Sequence, residues 1–293
     1  MSEHYPDNFL GLSGRDCDYR HAKYAVMPVP YDATTSFQTG TRHGPRAVIT
    51  ASQEVEWFDE EYGCEFVKAG IVTLDPLGPH ASGPGQMHEW VHKSARKVVR
   101  DGKFLIVLGG EHSITSAFVR AALARYKKLS VLQIDAHADL RDSYEGTKFS
   151  HACVMRRVLE MGVPVVPVGI RNYSLEEHRF MRKHKFTPIT VRETRVNPDW
   201  LLQAVESLSD QVYITIDIDG FDPAYAPGTG TPEPGGLDWF QVTDLLKATA
   251  MEKTVVGADV VEVIPLPGGV QTEFLAAKLI YKLIAHVEAN KKA

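Results

Sequence analysis

Apolar positions along the chain recur in two patterns. Compact, β-branched-rich runs at Lys23 to Pro28, Ile71 to Leu74, Phe104 to Leu108, Val131 onward, Val165 to Val168, Val212 to Ile216 and Val255 to Val263 read as strands, with Phe186 to Val191 a weaker eighth. Between them the apolar residues fall at helical spacing. Met87, Trp90, Val91, Ala95, Val98 and Val99 mark one helix, closed by Gly102. Others are predicted from Ile114 to Lys127, from Ala152 to Met161 with Gly162 as its stop, from about Asp238 to Glu252, and from Gln271 to about Ala289. Pro45 suits the first turn of a helix, Ser174 and Glu177 form a capping box for a helix running to His184, and Asn197 followed by Pro198 signals a helix through Leu208. His178 and His184 lie on the capped helix and read as surface or packing residues.

Strands alternating with helices predict an α/β fold with a mostly parallel sheet of about eight strands flanked by helices. Periodicity alone leaves a closed barrel and an open sheet equally open. Residues 1–293 show no internal repeat and no linker, so a single domain is expected, with residues 1–21 a polar arm that is either loose or packed on a neighbouring subunit. Two loops stand out. The Gly, Thr and Ser-rich stretch from Tyr31 to Arg46 should lie over the site face, and the Pro and Gly-rich stretch from Gly220 to Gly236 follows a strand's carboxyl end, where long loops usually serve function.

The polar exceptions to this pattern carry the chemistry. Val131 to Leu140 reads V-L-Q-I-D-A-H-A-D-L, an apolar strand ending in Asp135, His137 and Asp139. Alternate residues of an extended chain share a face, so the three converge if the extended conformation holds through them. Val212 to Asp219, V-Y-I-T-I-D-I-D, ends likewise in Asp217 and Asp219, and the strand at Phe104 runs into G-G-E-H-S with His112 in the turn before a helix. All three groups sit at carboxyl ends of strands, where α/β sheets build their sites. Four carboxylates and two imidazoles gathered at low dielectric must take up protons unless a cation sits among them. Oxygen-rich ligands with some imidazole and no thiolate suit Mn²⁺ better than structural zinc, and the charge count favours two ions per chain.

Composition narrows the field. The 293 residues are 44% hydrophobic and 24% charged with a formal net charge of -5. That mild charge, without long Lys or Arg runs, argues against nucleic acid or an anionic membrane as partner. The three cysteines, Cys17, Cys64 and Cys153, lack metal or disulfide spacing. A reducing, cytoplasmic setting is expected, since neither a signal-peptide pattern nor a membrane-length apolar stretch is present.

The motifs G-G-E-H-S, D-A-H-A-D and T-I-D-I-D-G-F-D-P followed by A-P-G-T-G-T-P-E-P-G-G resemble those of the ureohydrolase family of arginases and agmatinases. So do P-Y-D-A-T-T-S-F-Q-T-G-T-R-H-G-P-R-A and V-V-E-V-I-P, and the resemblance spans most of the chain from about Tyr24. It implies a three-layer α/β/α fold with an open sheet, and a binuclear manganese centre that hydrolyses a small cationic guanidino substrate to release urea. On the family pattern Asp135 and Asp217 bridge two ions, His112 and Asp139 complete one shell, and His137 and Asp219 the other. Asp139 also orients the attacking hydroxide, His151 matches the proton-transfer histidine, and Glu262 matches the carboxylate that holds the guanidinium. A homo-oligomer, trimer or hexamer, is implied as well.

This chain has Glu111 and Ala138 where the family often has Asp and Thr, and Ala152 and Cys153 follow His151 in place of the frequent Gly. Cys153 reads as a small packing residue. The segment from Leu140 to Ser150 resembles agmatinases and lacks the S-G-N-x-H-G of arginases. Agmatine is therefore the expected substrate, with Asp142 and Glu145 disfavouring an anionic head group if they face the site. The alternatives are arginine or guanidinobutyrate as substrate, a one-zinc deacetylase, or a metal-binding protein without turnover.

Overall fold

A computed structural model of the protein describes residues 6–290. Its strands are β1 (Tyr24–Val29), β2 (Phe58–Asp59), β3 (Cys64–Glu65), β4 (Ile71–Thr73), β5 (Phe104–Gly109), β6 (Leu129–Ile134), β7 (Val165–Ile170), β8 (Ile189–Thr190), β9 (Gln211–Asp217) and β10 (Thr254–Val261). Its α-helices are α1 (Gly44–Ser52), α2 (Pro84–Arg100), α3 (Thr115–Ala122), α4 (Val154–Glu160), α5 (Leu175–His184), α6 (Val191–Val196), α7 (Trp200–Glu206), α8 (Trp239–Glu252) and α9 (Gln271–Ala289).

Eight strands form one open sheet in the order β4-β1-β5-β10-β9-β6-β7-β8, and every neighbouring pair is parallel. The continuous apolar runs follow from burial on both faces. Tyr24, Val26, Ile106, Leu108, Leu132, Ile134, Ile214 and Ile216 pack with residues of α1, α7, α8 and α9 on one side. The intervening Ala25, Met27, Leu105, Val107, Val131 and Tyr213 pack with α2, α3, α4 and α5 on the other. Three layers result. The ladder places β5, β10, β9 and β6 side by side at the centre, so the segments leaving their carboxyl ends are neighbours in space.

Several boundaries differ from the sequence expectation. The strand expected at Phe186 to Val191 shrinks to Ile189–Thr190, because Thr190 and Glu193 form a capping box that turns Val191 into the start of α6. Asn197 lies two residues too early to cap α7; its Oδ1 accepts the N–H of Asp199, the residue at the cap. The helix expected from Ile114 to Lys127 is a 3-10 turn, His112–Ile114, followed by α3, which ends at Ala122. A short antiparallel pair, β2 with β3, was not expected.

Over its described part the amino-terminal arm is not loose: it packs on this chain's own core. Phe9, Leu10 and Leu12 are buried against this chain's own core, and the N–H groups of Phe9 and Leu10 donate to Thr73 Oγ1 and Ser52 Oγ. Residues 1–5 of the arm lie outside the described residues. No helix among the described residues is long and apolar enough to cross a membrane. His178 and His184 are exposed, as expected, beside Tyr173 and Phe180.

Candidate metal centre

The strand that delivers Asp135 ends at Ile134, so Asp135, His137 and Asp139 do not converge by pleat alternation. The chain turns instead. Asp135 Oδ1 accepts the N–H of His137 at 2.6 Å, and Asp139 adopts a left-handed φ of 53° while its carbonyl accepts the N–H groups of Met155 and Arg156 at the start of α4. Asp219 likewise leaves β9 in a 3-10 turn, Ile218–Gly220, with its N–H on Asp217 Oδ1 at 3.0 Å and its Oδ1 accepting the N–H of Ala136 at 3.0 Å. Gly220 allows that approach, since a Cβ there would lie 2.9 Å from the Asp135 nitrogen. Backbone donors thus hold three of the carboxylates in place before any ligand arrives.

Two clusters result, and they share a residue. His112, Asp135 and Asp139 form one, and Asp135, His137 and Asp219 the other, with the donor atoms of each lying within 4.8 Å of one another. Nδ1 of His112 lies 3.0 Å from Asp139 Oδ2, 3.3 Å from Asp135 Oδ2 and 3.4 Å from Asp217 Oδ2, so Asp217 adjoins the first cluster. His137 Nδ1 lies 2.9 Å from Asp219 Oδ2. All six residues expected from sequence are together.

The tautomer of His112 tests whether a cation fits. Thr215 Oγ1 donates its proton to Asp259 Oδ1 at 2.6 Å, so the 2.8 Å contact between Thr215 Oγ1 and His112 Nε2 needs Nε2 to be the donor. Nδ1 of a neutral imidazole then presents a lone pair to three carboxylate oxygens, and it is fully buried without a hydrogen-bond partner. Such an arrangement is repulsive unless a proton or a metal ion sits in it. Without an ion, protons take that place. Burial alone would lower the His112 pKa, but Asp135, Asp139 and Asp217 override it and raise it well above the ordinary value. Burial and then the Asp135 charge push Asp139 up to about 7, and burial with Asp219 and Asp135 raises Asp217 well above the carboxylate range. The donor set fits divalent ions, and a shared Asp135 fits two adjacent ones.

A cavity of about 150 Å³ opens over this cluster, lined by residues that include Ser36, Phe37, Tyr144, His151, Thr231 and Glu262. Both Gly-rich loops therefore reach the site, as expected. His151 Nε2 faces Ser36 Oγ at 3.5 Å, and burial lowers its pKa to about 4. Glu262 follows β10 with φ 62°, and its Oε1 accepts the N–H of His112 at 2.7 Å. Asp142 and Glu145 do not line the cavity. Asp142 pairs with Arg157 and Lys148, and Arg141 lines the wall in their place, its guanidinium over the Tyr144 ring. Cys153 is fully buried, as a packing residue should be.

Supporting residues escaped the sequence reading. Asp259 interrupts the apolar run of β10, and that interruption was the available signal for its role behind Thr215. Arg171 had none. Its guanidinium donates to the carbonyls of Gly169, Asp219, Gly220, Phe221, Glu233 and Pro234, binding the Asp219 turn to the loop that carries Thr231.

Comparison with known proteins agrees with this geometry. The model of the arginase family matches residues 22–286. The chain is 43% identical to an N(1)-aminopropylagmatine ureohydrolase of Synechocystis sp., over 92% of this chain and 90% of the relative, and 35% identical to an agmatinase of Pyrococcus horikoshii, over 91% and 93%. The crystal structure of the agmatine ureohydrolase of Thermoplasma volcanium superposes with a TM-score of 0.88 at 34% identity, covering 99% of this chain and 97% of that one. The chain belongs to the arginase family and is a hydrolytic enzyme, a ureohydrolase with His and Asp groups placed to bind metal.

Proposed function

We propose that this ureohydrolase cleaves the guanidino group of agmatine to give urea and putrescine, at two Mn²⁺ ions held by His112, Asp135, His137, Asp139, Asp217 and Asp219. The observation that carries the reading is the bare Nδ1 of His112 among three carboxylate oxygens, beside a second cluster that shares Asp135. When bound, the ions neutralise the carboxylates and make a water molecule nucleophilic near neutral pH.

The chain's own residues supply the rest. Glu262 keeps Oε1 on the His112 N–H and turns Oε2 to the planar guanidinium, which is oriented by charge-assisted hydrogen bonds. Asp139, at the base of the cavity, accepts a proton from the attacking water and holds its direction. A C–O bond forms at the guanidinium carbon and the C–N bond to the alkyl chain breaks. The departing amine takes a proton, and His151, whose imidazole lines the cavity over the metal cluster, is the group placed to carry it.

Agmatine is preferred to arginine on the relatives' names and on the cavity wall. With the ligand carboxylates neutralised by the ions, Glu177 and Glu262 still face the cavity against the guanidinium of Arg141, a balance that favours a cationic substrate. A second reading has its own support. Phe37 and Tyr173 line the cavity while staying exposed, so the rim is open to an alkylammonium tail longer than that of agmatine, and aromatic faces attract such cations. N(1)-aminopropylagmatine, named for the Synechocystis relative, has such a tail. Measuring kcat/KM by urea release for agmatine, N(1)-aminopropylagmatine, arginine and guanidinobutyrate tests both; a higher value for arginine or guanidinobutyrate overturns the substrate assignment. A cytoplasmic location and assembly as a trimer or hexamer belong to the same reading.

A further inference from the structure

We propose that Thr34 and Glu111 form a clamp that positions His151, making both positioning residues of the reaction, although neither touches the substrate. The inference rests on the reading of His151 as the proton carrier.

Three segments distant in sequence meet at this clamp. Thr34 follows β1, Glu111 follows β5, and His151 opens the 3-10 turn before α4. The backbone N–H of His151 donates to Thr34 Oγ1 at 3.1 Å, and an N–H can only donate. Thr34 Oγ1 therefore spends its single proton on Glu111 Oε1, 2.6 Å away. The Thr34 N–H adds a bond to Glu111 Oε2 at 2.6 Å, and Ser113 Oγ donates to Oε1. Glu111 is fully buried and accepts from all of these donors. It is absent from the cavity wall, whereas Thr35, Ser36, Phe37 and Gln38, the residues following Thr34, line it.

The consequence is specific. The clamp fixes the backbone of His151 to the loop whose Ser36 faces the imidazole, so releasing it shifts the proton carrier while leaving Asp135, Asp217 and the other metal-binding groups seated by their own backbone donors. A network serving only the fold would affect stability without singling out the step that uses His151.

Thr34→Val is isosteric and removes the hydroxyl. Its kcat for urea release should fall roughly tenfold or more, with KM and bound metal unchanged, because a small misplacement of a reacting group is costly. Hydrogen exchange at the amides of residues 147–154 should accelerate, and Thr34→Ser should restore both. In a His151→Asn background, Thr34→Val should cost nothing further. Glu111→Gln, which turns one acceptor into a donor facing other donors, gives the same pair of effects if Thr34→Val does not fold. The clamp is overturned by unchanged exchange in these variants, by wild-type kcat in Thr34→Val, or by an undiminished loss in the His151→Asn background. If the wild type cleaves no guanidino compound, the proposed function falls while the exchange measurement still decides the clamp.

Discussion

The backbone N–H of His112 donates to Oε1 of Glu262 at 2.7 Å, pinning the carboxylate that follows β10 to the turn that follows β5. One oxygen is thereby committed, and the other is left for the substrate. In Glu262→Gln the amide oxygen must stay on the His112 N–H, which turns the NH₂ group toward the donors of the guanidinium. The expected result is a fall in kcat/KM of roughly a hundredfold or more with metal content unchanged. Steady-state kinetics beside metal analysis checks it; loss of metal with substrate affinity retained would make Glu262 a support of the metal centre instead.

Removal of metal should abolish urea release and lower Tm, with Mn²⁺ restoring both. Without ions the cluster is relieved only by proton uptake, seen in the upward pressure on Asp139 and Asp217. Ions bound at a thousandfold excess over Kd would stabilise the fold by about 4 kcal/mol. Differential scanning calorimetry with and without chelator measures the change, and an unchanged Tm would contradict a built-in metal centre.

Most of the fold was legible because both sheet faces are covered, so strands such as Ile106 to Leu108 are apolar throughout and stand out from the amphipathic helices. Asp135 and Asp217 were legible as carboxylates ending such runs. How they converge was not, since it depends on the left-handed turn at Asp139 and on backbone donors from other segments. The same limit hid the orientation of Asp142, whose partner Arg157 sits on a helix that local pattern cannot place beside it. The packing of the arm on its own core was not legible although F-L-G-L was an apolar cue, because a run so short has no period. Two-residue strands such as β2 and β3 leave no alternation to detect.

Arg171→Lys should destabilise the protein by about 2 kcal/mol or more, since an ammonium cannot reach the carbonyls of Asp219, Phe221, Glu233 and Pro234 together. It should also weaken metal retention through the Asp219 turn. Urea denaturation and a metal titration test the two effects, and wild-type values in both would contradict the role of Arg171 in holding the Asp219 turn.

Acid should cost stability through His286, which is buried with Nδ1 2.7 Å from the Tyr62 hydroxyl. Burial lowers its pKa from 6.5 to about 4. The unfolded chain therefore binds a proton that the folded one refuses between these values, so stability is full above 6.5 and is lost as pH falls toward 4. His286→Gln lacks this loss. Its stability deficit against wild type should narrow by on the order of 3 kcal/mol over that window. Denaturation of both proteins across pH measures it, and a constant difference would contradict the assignment.

The central claim is most directly tested by loading the purified chain with Mn²⁺, counting bound ions and following urea release from agmatine and N(1)-aminopropylagmatine. The account predicts about two ions per chain, from the paired clusters that share Asp135, and urea formed in equal amount to the amine product only while they are bound. Full activity in protein shown to hold no metal, or two bound ions with no urea from either compound, would contradict it.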